Sequence, residues 1–166
     1  MRSNYVLLSA LILLPMIGCQ TKDYNKMLES LYNHTVPLIY STDLASNLND
    51  KSSIILLDTR SNKEFRISHI KNARMINYND FNKNDVVDIP LDAEIVVYCS
   101  VGYRSEKIGE KLLDMGYKDV KNLYGGIFQW KNDGFEIVNE KSIVTDSVHT
   151  YNKKWSKWLV KGIKVY

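Results

Sequence analysis

Two short apolar runs that end at polar or reactive side chains constrain the fold of this chain most. Residues 54–57 are Ile-Ile-Leu-Leu and lead into Asp58, and residues 94–98 lead into Cys99. Apolar runs of this length without alternation are typical of strands buried on both faces of a sheet. Helical patterns separate these runs, and strands that alternate with helices predict a parallel sheet covered by helices on both faces.

This alternation predicts a sheet of about five strands. The strand candidates are residues 36–40, 54–57, 74–78, 94–98 and 120–123, and helices are expected to start near Ser41 or Thr42, at Ser61, at Arg104 and at Gly125-Gly126. Glu64 follows Ser61 by three residues, which is the spacing of a capping box. Ligand sites of parallel sheets lie beyond the carboxyl ends of the strands. Asp58 and Cys99 are therefore expected at the edge that holds the functional site.

The composition of the chain is that of an ordinary globular protein. The chain has 166 residues, of which 45% are hydrophobic and 25% charged, and this balance is enough to fill one core. The net charge is only +3 and no basic stripe is present, so nucleic-acid binding is not expected. The three histidines and Cys99 do not have the spacing of metal ligands, so we expect no metal.

The first 18 residues have the pattern of a secretory signal peptide. Arg2 supplies a positive charge, residues 6–17 form an almost unbroken apolar run, and Gly18 precedes Cys19. A membrane-spanning helix needs about 20 apolar residues, so this run is too short to be a stable one. Three interpretations fit this pattern. The favoured one is a signal that is cleaved before a cysteine that then carries a lipid, and the alternatives are a plain secretory signal and an N-terminal anchor helix.

The Gly18-Cys19 pair resembles the lipobox of bacterial lipoproteins, although Met16 stands where that family usually has Leu. The resemblance implies that Cys19 is acylated and anchors the chain to the cell envelope, facing the periplasm. Gln20 follows Cys19 where Asp would favour the inner membrane, so the outer membrane is slightly favoured. Residues 19–35 are then expected to form a polar tether with some helical pattern.

The segment after the fourth strand carries the pattern of a reactive cysteine. It consists of Cys99, Ser100, Val101, Gly102, Tyr103, Arg104 and Ser105. Backbone N–H groups at a helix start have no partner within the helix, so a loop curled around them forms an anion cradle. A thiolate held there is stabilised and is the nucleophilic form of cysteine. Arg104 would orient an oxyanion substrate or close the loop through a carboxylate partner, and the alternative for Cys99 is a small buried core residue.

This segment, Cys-x-x-Gly-x-Arg-Ser, resembles the active-site loop of the rhodanese family. Two further segments resemble that family's signatures on either side of the loop. Upstream are residues 57–60 (Leu-Asp-Thr-Arg), Glu64-Phe65 and residues 69–73 (His-Ile-Lys-Asn-Ala); downstream is Gly125-Gly126 followed by Trp130. Together they cover about residues 36–138, which predicts one rhodanese-like, three-layer α/β domain.

The resemblance implies a sulfurtransferase that needs no cofactor. The Cys99 thiolate would take sulfane sulfur from a small donor such as thiosulfate, polysulfide or a persulfide. The resulting persulfide would pass it to a thiophilic acceptor such as cyanide, a thiol or a protein thiol. A non-catalytic rhodanese-like binding module of the cell envelope is the alternative. A phosphatase of the same fold is less favoured, because its Cys and Arg are separated by five residues and here by four.

Residues outside the loop receive supporting roles. Asp58 and Arg60 match the upstream signature and are expected to brace the loop, with a local ion pair that closes a turn as the alternative.

The C-terminal extension, residues 139–166, places Trp155 and Trp158 on one helical face. We expect this face to pack on the domain, and the alternative is that it lies on an anionic membrane surface.

Overall fold

The computed structural model describes residues 16–50 and 53–166 and centres on a five-stranded parallel sheet. The strands are β1 Leu38–Ile39, β2 Ile55–Asp58, β3 Arg74–Met75, β4 Glu94–Tyr98 and β5 Asp119–Leu123. Their order is β1-β5-β4-β2-β3, and every neighbouring pair is parallel. The predicted α/β class with a parallel sheet is therefore confirmed.

Helices and short strands complete the chain. The helices are α1 Met16–Leu31, α2 Ser41–Asp50, α3 Asn62–Ile67, α4 Tyr103–Asp114, α5 Gly126–Asn132 and α6 Lys153–Ser156, with a 3-10 turn at Lys83–Asp85. Beyond the sheet, β6 Ile137–Val138 pairs antiparallel with β7 Val144–Thr145, and β8 Ser147–His149 pairs parallel with β9 Ile163–Val165. Among the described residues, no helix combines the length and apolar character needed to cross a bilayer.

Alternating side chains of the central strand β4 divide the core into two layers. Val96 and Tyr98 pack in a cluster with residues of α1, α2 and α5. Ile95 and Val97 point to the other face, where Ile108 and other residues of α4 cover them. A period of two residues is what a pleated strand buried on both faces requires.

The edge strands are shorter than predicted. Residues 74–78 form a strand only at Arg74–Met75, and residues 36–40 only at Leu38–Ile39. Both strands have a neighbour on one side only, so fewer ladder hydrogen bonds hold them. The chain after β3 nevertheless still follows β2, because the N–H of Ile76 donates to the carbonyl of Asp58.

The N-terminal segment differs from the polar tether expected for residues 19–35. Tyr24, Leu28 and Tyr32 are buried in the same core cluster as α5. Tyr24 and Leu28 lie on one face of α1, and Tyr32, directly after its end, continues that face. This apolar face packs on the domain. Residues 1–15 of the predicted signal peptide lie outside the described residues, as does the side chain of Cys19.

The C-terminal extension packs on the domain as well. Val148 and Leu159 are fully buried, and Trp155 and Trp158 pack against the same core cluster. The Trp158 ring stacks on Tyr24 with 5.4 Å between ring centroids. The two ends of the described chain therefore meet over one face of the sheet.

Candidate active site

Strand β4 ends at Tyr98 and delivers Cys99 to the carboxyl edge of the sheet, where α4 begins four residues later. Asp58 is the register partner of Tyr98, so Asp58 and Cys99 lie at the same edge of the sheet, as predicted, and their strands are neighbours. Cys99 is a free cysteine with 1% of its surface exposed. The N–H of Gly102 donates to its Sγ over 3.1 Å. The loop therefore aims at least one backbone amide at the sulfur, as an anion cradle requires.

Gly102 cannot carry a side chain at this position. Its φ of +99° lies in the region that favours glycine, and an added Cβ would lie 2.1 Å from the Tyr32 hydroxyl oxygen. The loop and the residue that follows α1 therefore approach each other too closely for any other residue at this position.

Tyr32 connects the cysteine loop to the turn before α5. Its hydroxyl donates to the carbonyl of Val101 over 2.7 Å and accepts the N–H of Gly125 over 2.9 Å. Burial raises the pKa of Tyr32, so the hydroxyl keeps the proton that it donates. Sequence analysis did not identify this residue, although its spacing from Tyr24 and Leu28 marks the buried face of α1.

The start of α5 holds the loop from another side. The N–H of Ile127 donates to the carbonyl of Cys99 over 2.9 Å, and the N–H of Phe128 donates to the carbonyl of Ser100 over 3.1 Å. A Cβ on Gly126 would lie 2.3 Å from the Cys99 carbonyl oxygen. The Gly125-Gly126 segment therefore brings free helix N–H groups against the loop backbone.

Arg104 closes the loop through a carboxylate, which is one of the two roles predicted for it. Its Nη1 and Nη2 donate to the two carboxylate oxygens of Glu64 over 3.0 and 2.7 Å. Nη2 also donates to the hydroxyl of Ser100 over 3.1 Å, and that hydroxyl donates to Glu64 over 3.2 Å. This bidentate pair fixes the guanidinium plane across the loop.

Glu64 also forms the predicted capping box of α3. It accepts the N–H of Ser61 over 3.0 Å, and the Ser61 hydroxyl accepts the N–H of Glu64. Burial raises the pKa of Glu64, but hydrogen bonds from Arg104 and Ser61 and the nearby guanidinium charges outweigh it and lower the pKa to about 2. Glu64 is therefore ionised at neutral pH and was missed as a site residue because its partner lies 40 positions away.

Ser105 anchors the loop to β5 through a residue that sequence analysis also missed. Its hydroxyl donates to the side-chain carbonyl of Asn122 over 2.7 Å, and the amide of Asn122 donates to the carbonyl of Gly102 over 3.0 Å. Both side chains are buried. They hold the Gly102 carbonyl on the side of β5.

Asp58 and Arg60 form a fully buried ion pair behind the loop. Arg60 Nε and Nη2 donate to Asp58 over 2.9 and 2.7 Å, and Nη2 also reaches the carbonyl of Ser68. The guanidinium lies over the Tyr98 ring at 5.9 Å. The pair closes the turn after β2 and supports the strand that carries Cys99, so it is not part of the pocket.

Cys99 lies at the wall of a pocket of about 400 Å³. The pocket is lined by Leu31, Tyr78, Asn79, Cys99, Ser100, Val101, Tyr103, Arg104, Tyr151 and Trp155. The predicted loop residues Ser100, Val101, Tyr103 and Arg104 thus surround one cavity with the cysteine. Gly102 and Ser105 instead shape the loop from behind.

Comparison with known proteins agrees with this geometry. The family model described as the rhodanese-like domain matches residues 41–133, which is more than half of the chain. An adenylyltransferase and sulfurtransferase of Candida albicans is 34% identical over 98 residues, which are 55% of this chain and 22% of that protein. A tRNA uridine(34) hydroxylase of Cytophaga hutchinsonii is 34% identical over 87 residues, 50% of this chain and 28% of its own. The chain thus spans only about a quarter of the length of these relatives.

Solved structures share the fold. A rhodanese-related protein of Thermoplasma volcanium has a TM-score of 0.56 and 26% identity, covering 63% of this chain and 99% of that one. A thiosulfate sulfurtransferase of Pseudomonas aeruginosa has a TM-score of 0.61 and 17% identity, covering 75% and 24%. With the family match and the geometry of the cysteine loop, the chain belongs to the family of rhodanese-like domains.

Proposed function

We propose that this protein is a sulfurtransferase that carries sulfane sulfur as a persulfide on Cys99. The observation that carries the proposal is the Gly102 N–H directed at Sγ over 3.1 Å, in a loop that opens onto a pocket. A backbone amide in this position stabilises negative charge on the sulfur, both in the attacking thiolate and in the persulfide.

The reaction takes place in two steps. The Cys99 thiolate attacks the outer sulfur of the donor, a new S–S bond forms, and the donor's S–S bond breaks with its electron pair on the leaving group. For thiosulfate the leaving group is sulfite. An acceptor nucleophile then attacks the outer sulfur of the persulfide and regenerates the thiolate, so no external oxidant or reductant is required.

The acceptor comes from outside the domain in this proposal. The chain has two cysteines, and the second is Cys19 in the predicted lipobox. With Cys19 acylated and anchored at the cell envelope, no thiol of the chain remains to attack the persulfide. A small thiol, a protein thiol or cyanide would fill this role.

The binding-module alternative makes the same loop a recognition surface without chemistry. The phosphatase alternative is less supported, because both terminal nitrogens of Arg104 are engaged by Glu64. A phosphatase of this kind would need that guanidinium for the phosphate oxygens.

Intact mass spectrometry tests the proposal. Residues 20–166 are incubated with thiosulfate, with an organic thiosulfonate and with polysulfide, beside Cys99→Ala. We expect a gain of one sulfur atom that cyanide removes and that the variant lacks. A folded protein whose thiol can be alkylated but gains no sulfur from any donor would instead support the binding module.

A further inference from the structure

The charge of the pocket is almost fully compensated. Of the residues that line it, Arg104 is the one with a permanent positive charge. The Glu64 carboxylate, 2% exposed, holds both terminal nitrogens of Arg104, whose side chain is 22% exposed. An incoming dianion therefore meets a paired cation, and displacing the carboxylate would leave a buried charge unpaired.

Tyr151 lies beside the guanidinium of Arg104 at the exposed side of the pocket. Its ring lies 5.8 Å from the guanidinium carbon of Arg104. The backbone N–H of Tyr151 donates to Nδ1 of the buried His149 over 3.1 Å. Burial lowers the pKa of His149, so the ring stays neutral at neutral pH and accepts this hydrogen bond without adding charge to the site.

The remaining wall is largely apolar and aromatic. Leu31, Val101, Tyr103 and Trp155 line the space above Cys99 together with Tyr151. Exposed aromatic side chains around a nucleophile offer area for contact with an apolar or aromatic group. Leu31, Tyr151 and Trp155 lie outside residues 41–133 that match the family, so part of this wall comes from the segments before and after the family match.

We propose that the site selects an organic sulfane-sulfur donor, with an apolar body and no more than one negative charge, over the dianion thiosulfate. This rests on the sulfurtransferase function proposed above and names its substrate class. The Cys99 thiolate attacks the terminal sulfur of R–SO₂–S⁻, the new S–S bond forms, and the old one breaks with its electrons on the sulfinate R–SO₂⁻. The group R contacts the Tyr151 and Trp155 side of the pocket.

Benzenethiosulfonate and thiosulfate form a matched pair of donors, because a phenyl ring in one replaces a charged oxygen in the other. We measure kcat/KM for each donor with cyanide as acceptor and take the ratio of benzenethiosulfonate to thiosulfate. This ratio is divided by the ratio of the rate constants with which the same two donors react with a small free thiol, so that the intrinsic reactivity of the donors cancels. A single methylene in an apolar pocket is worth about tenfold or more in kcat/KM, so we expect a preference for benzenethiosulfonate of at least roughly tenfold.

Tyr151→Asn removes the ring and keeps the backbone, because Tyr151 has a φ of +64° that Asn tolerates. This variant should lose most of the preference. Tyr40→Asn changes an exposed tyrosine that does not line the pocket and should keep it. Trp155→Gln is a second pocket variant with the same expected loss, should Tyr151→Asn fold poorly.

The outcomes separate this inference from the proposed function. Equal or better use of thiosulfate, or a preference that neither pocket variant changes, overturns the substrate class while the persulfide mechanism stands. If neither donor places sulfur on Cys99, the proposed function itself fails.

Discussion

At the scale of single residues, the hydroxyl of Tyr32 sets the position of the cysteine loop. It satisfies the carbonyl of Val101 and the N–H of Gly125, both in the interior. Tyr32→Phe leaves both groups without this partner, so we expect a loss of about 2 kcal/mol or more in stability. A shifted cradle should also slow persulfide formation roughly tenfold. Urea unfolding and single-turnover sulfur transfer measure the two effects.

Tyr40→Phe is the matched control for this prediction. Tyr40 is 53% exposed and its ring packs on Tyr124. Phenylalanine keeps that ring contact, so removing the exposed hydroxyl should leave stability and sulfur transfer near their original values. If Tyr32→Phe behaves like Tyr40→Phe in both measurements, the Tyr32 hydroxyl does not position the loop.

The ion pair of Glu64 with Arg104 should make the free energy of unfolding depend on pH in the acidic range. The pKa of Glu64 is about 2 in the folded state against an ordinary value of 4.5. The group is therefore deprotonated more readily when folded, so its contribution is complete above pH 4.5 and is lost as the pH falls toward 2. The linked free energy is on the order of 3 kcal/mol.

Urea unfolding between about pH 6 and pH 2.5 checks this dependence. Glu64→Gln should be less stable at neutral pH and should lose less stability on acidification. Glu140→Gln removes a carboxylate from an exposed pair with Arg66, and its acid profile should match that of the unmodified protein because exposed pairs contribute little. Identical profiles for all three proteins would contradict the role given to Glu64.

At the scale of elements, the packing of the C-terminal extension on the domain can be tested at two neighbouring residues, of which one is buried and the other exposed. Leu159 is fully buried and Val160 is 56% exposed. Leu159→Ala should cost about 2–4 kcal/mol, whereas Val160→Ala should cost less than about 0.5 kcal/mol. Thermal unfolding of the two variants measures the difference. Equal, small effects would indicate that this segment does not pack in solution and would favour the membrane-surface alternative.

The central elements were predictable because their causes are local. The buried strand β4 needs only a run of apolar residues, and the capping box at Ser61 and Glu64 needs only four consecutive residues. The pairing of Glu64 with Arg104 depends on how α3 and α4 are placed relative to each other in the fold, because the two residues are 40 positions apart in the sequence. Residues 19–35 are predicted to be a polar tether, because charged and polar residues are interspersed with the apolar positions of the face that α1 buries. The helical spacing marks that face, but the sequence does not indicate which part of the domain the face covers, because the contact is long-range.

At the scale of the whole molecule, the segment that matches the family is not the whole site. Residues 41–133 supply strands β2 to β5 of the sheet, the cysteine loop and Glu64. The segment after α1 is tied to α4 through the buried Glu106, which accepts the N–H groups of Asn33 and Thr35 over 3.0 and 3.2 Å. With the stacking of Tyr24 on Trp158, these contacts join the described segments before and after the family match to the helix that starts at the cysteine loop.

Removal of α1 should therefore affect folding as well as catalysis. Tyr24, Leu28 and Tyr32 are each buried, and burial of such side chains is worth roughly 1.5–3 kcal/mol apiece. Their sum is comparable with the total stability of a typical domain, about 5–15 kcal/mol. We expect residues 36–166 to lose cooperative unfolding, while residues 20–166 unfold in one transition, as followed by circular dichroism in urea. A cooperative transition at the same urea concentration in both would mean that the domain holds its core without α1. In that case Tyr32 would be a peripheral support of the loop rather than a structural part of the site.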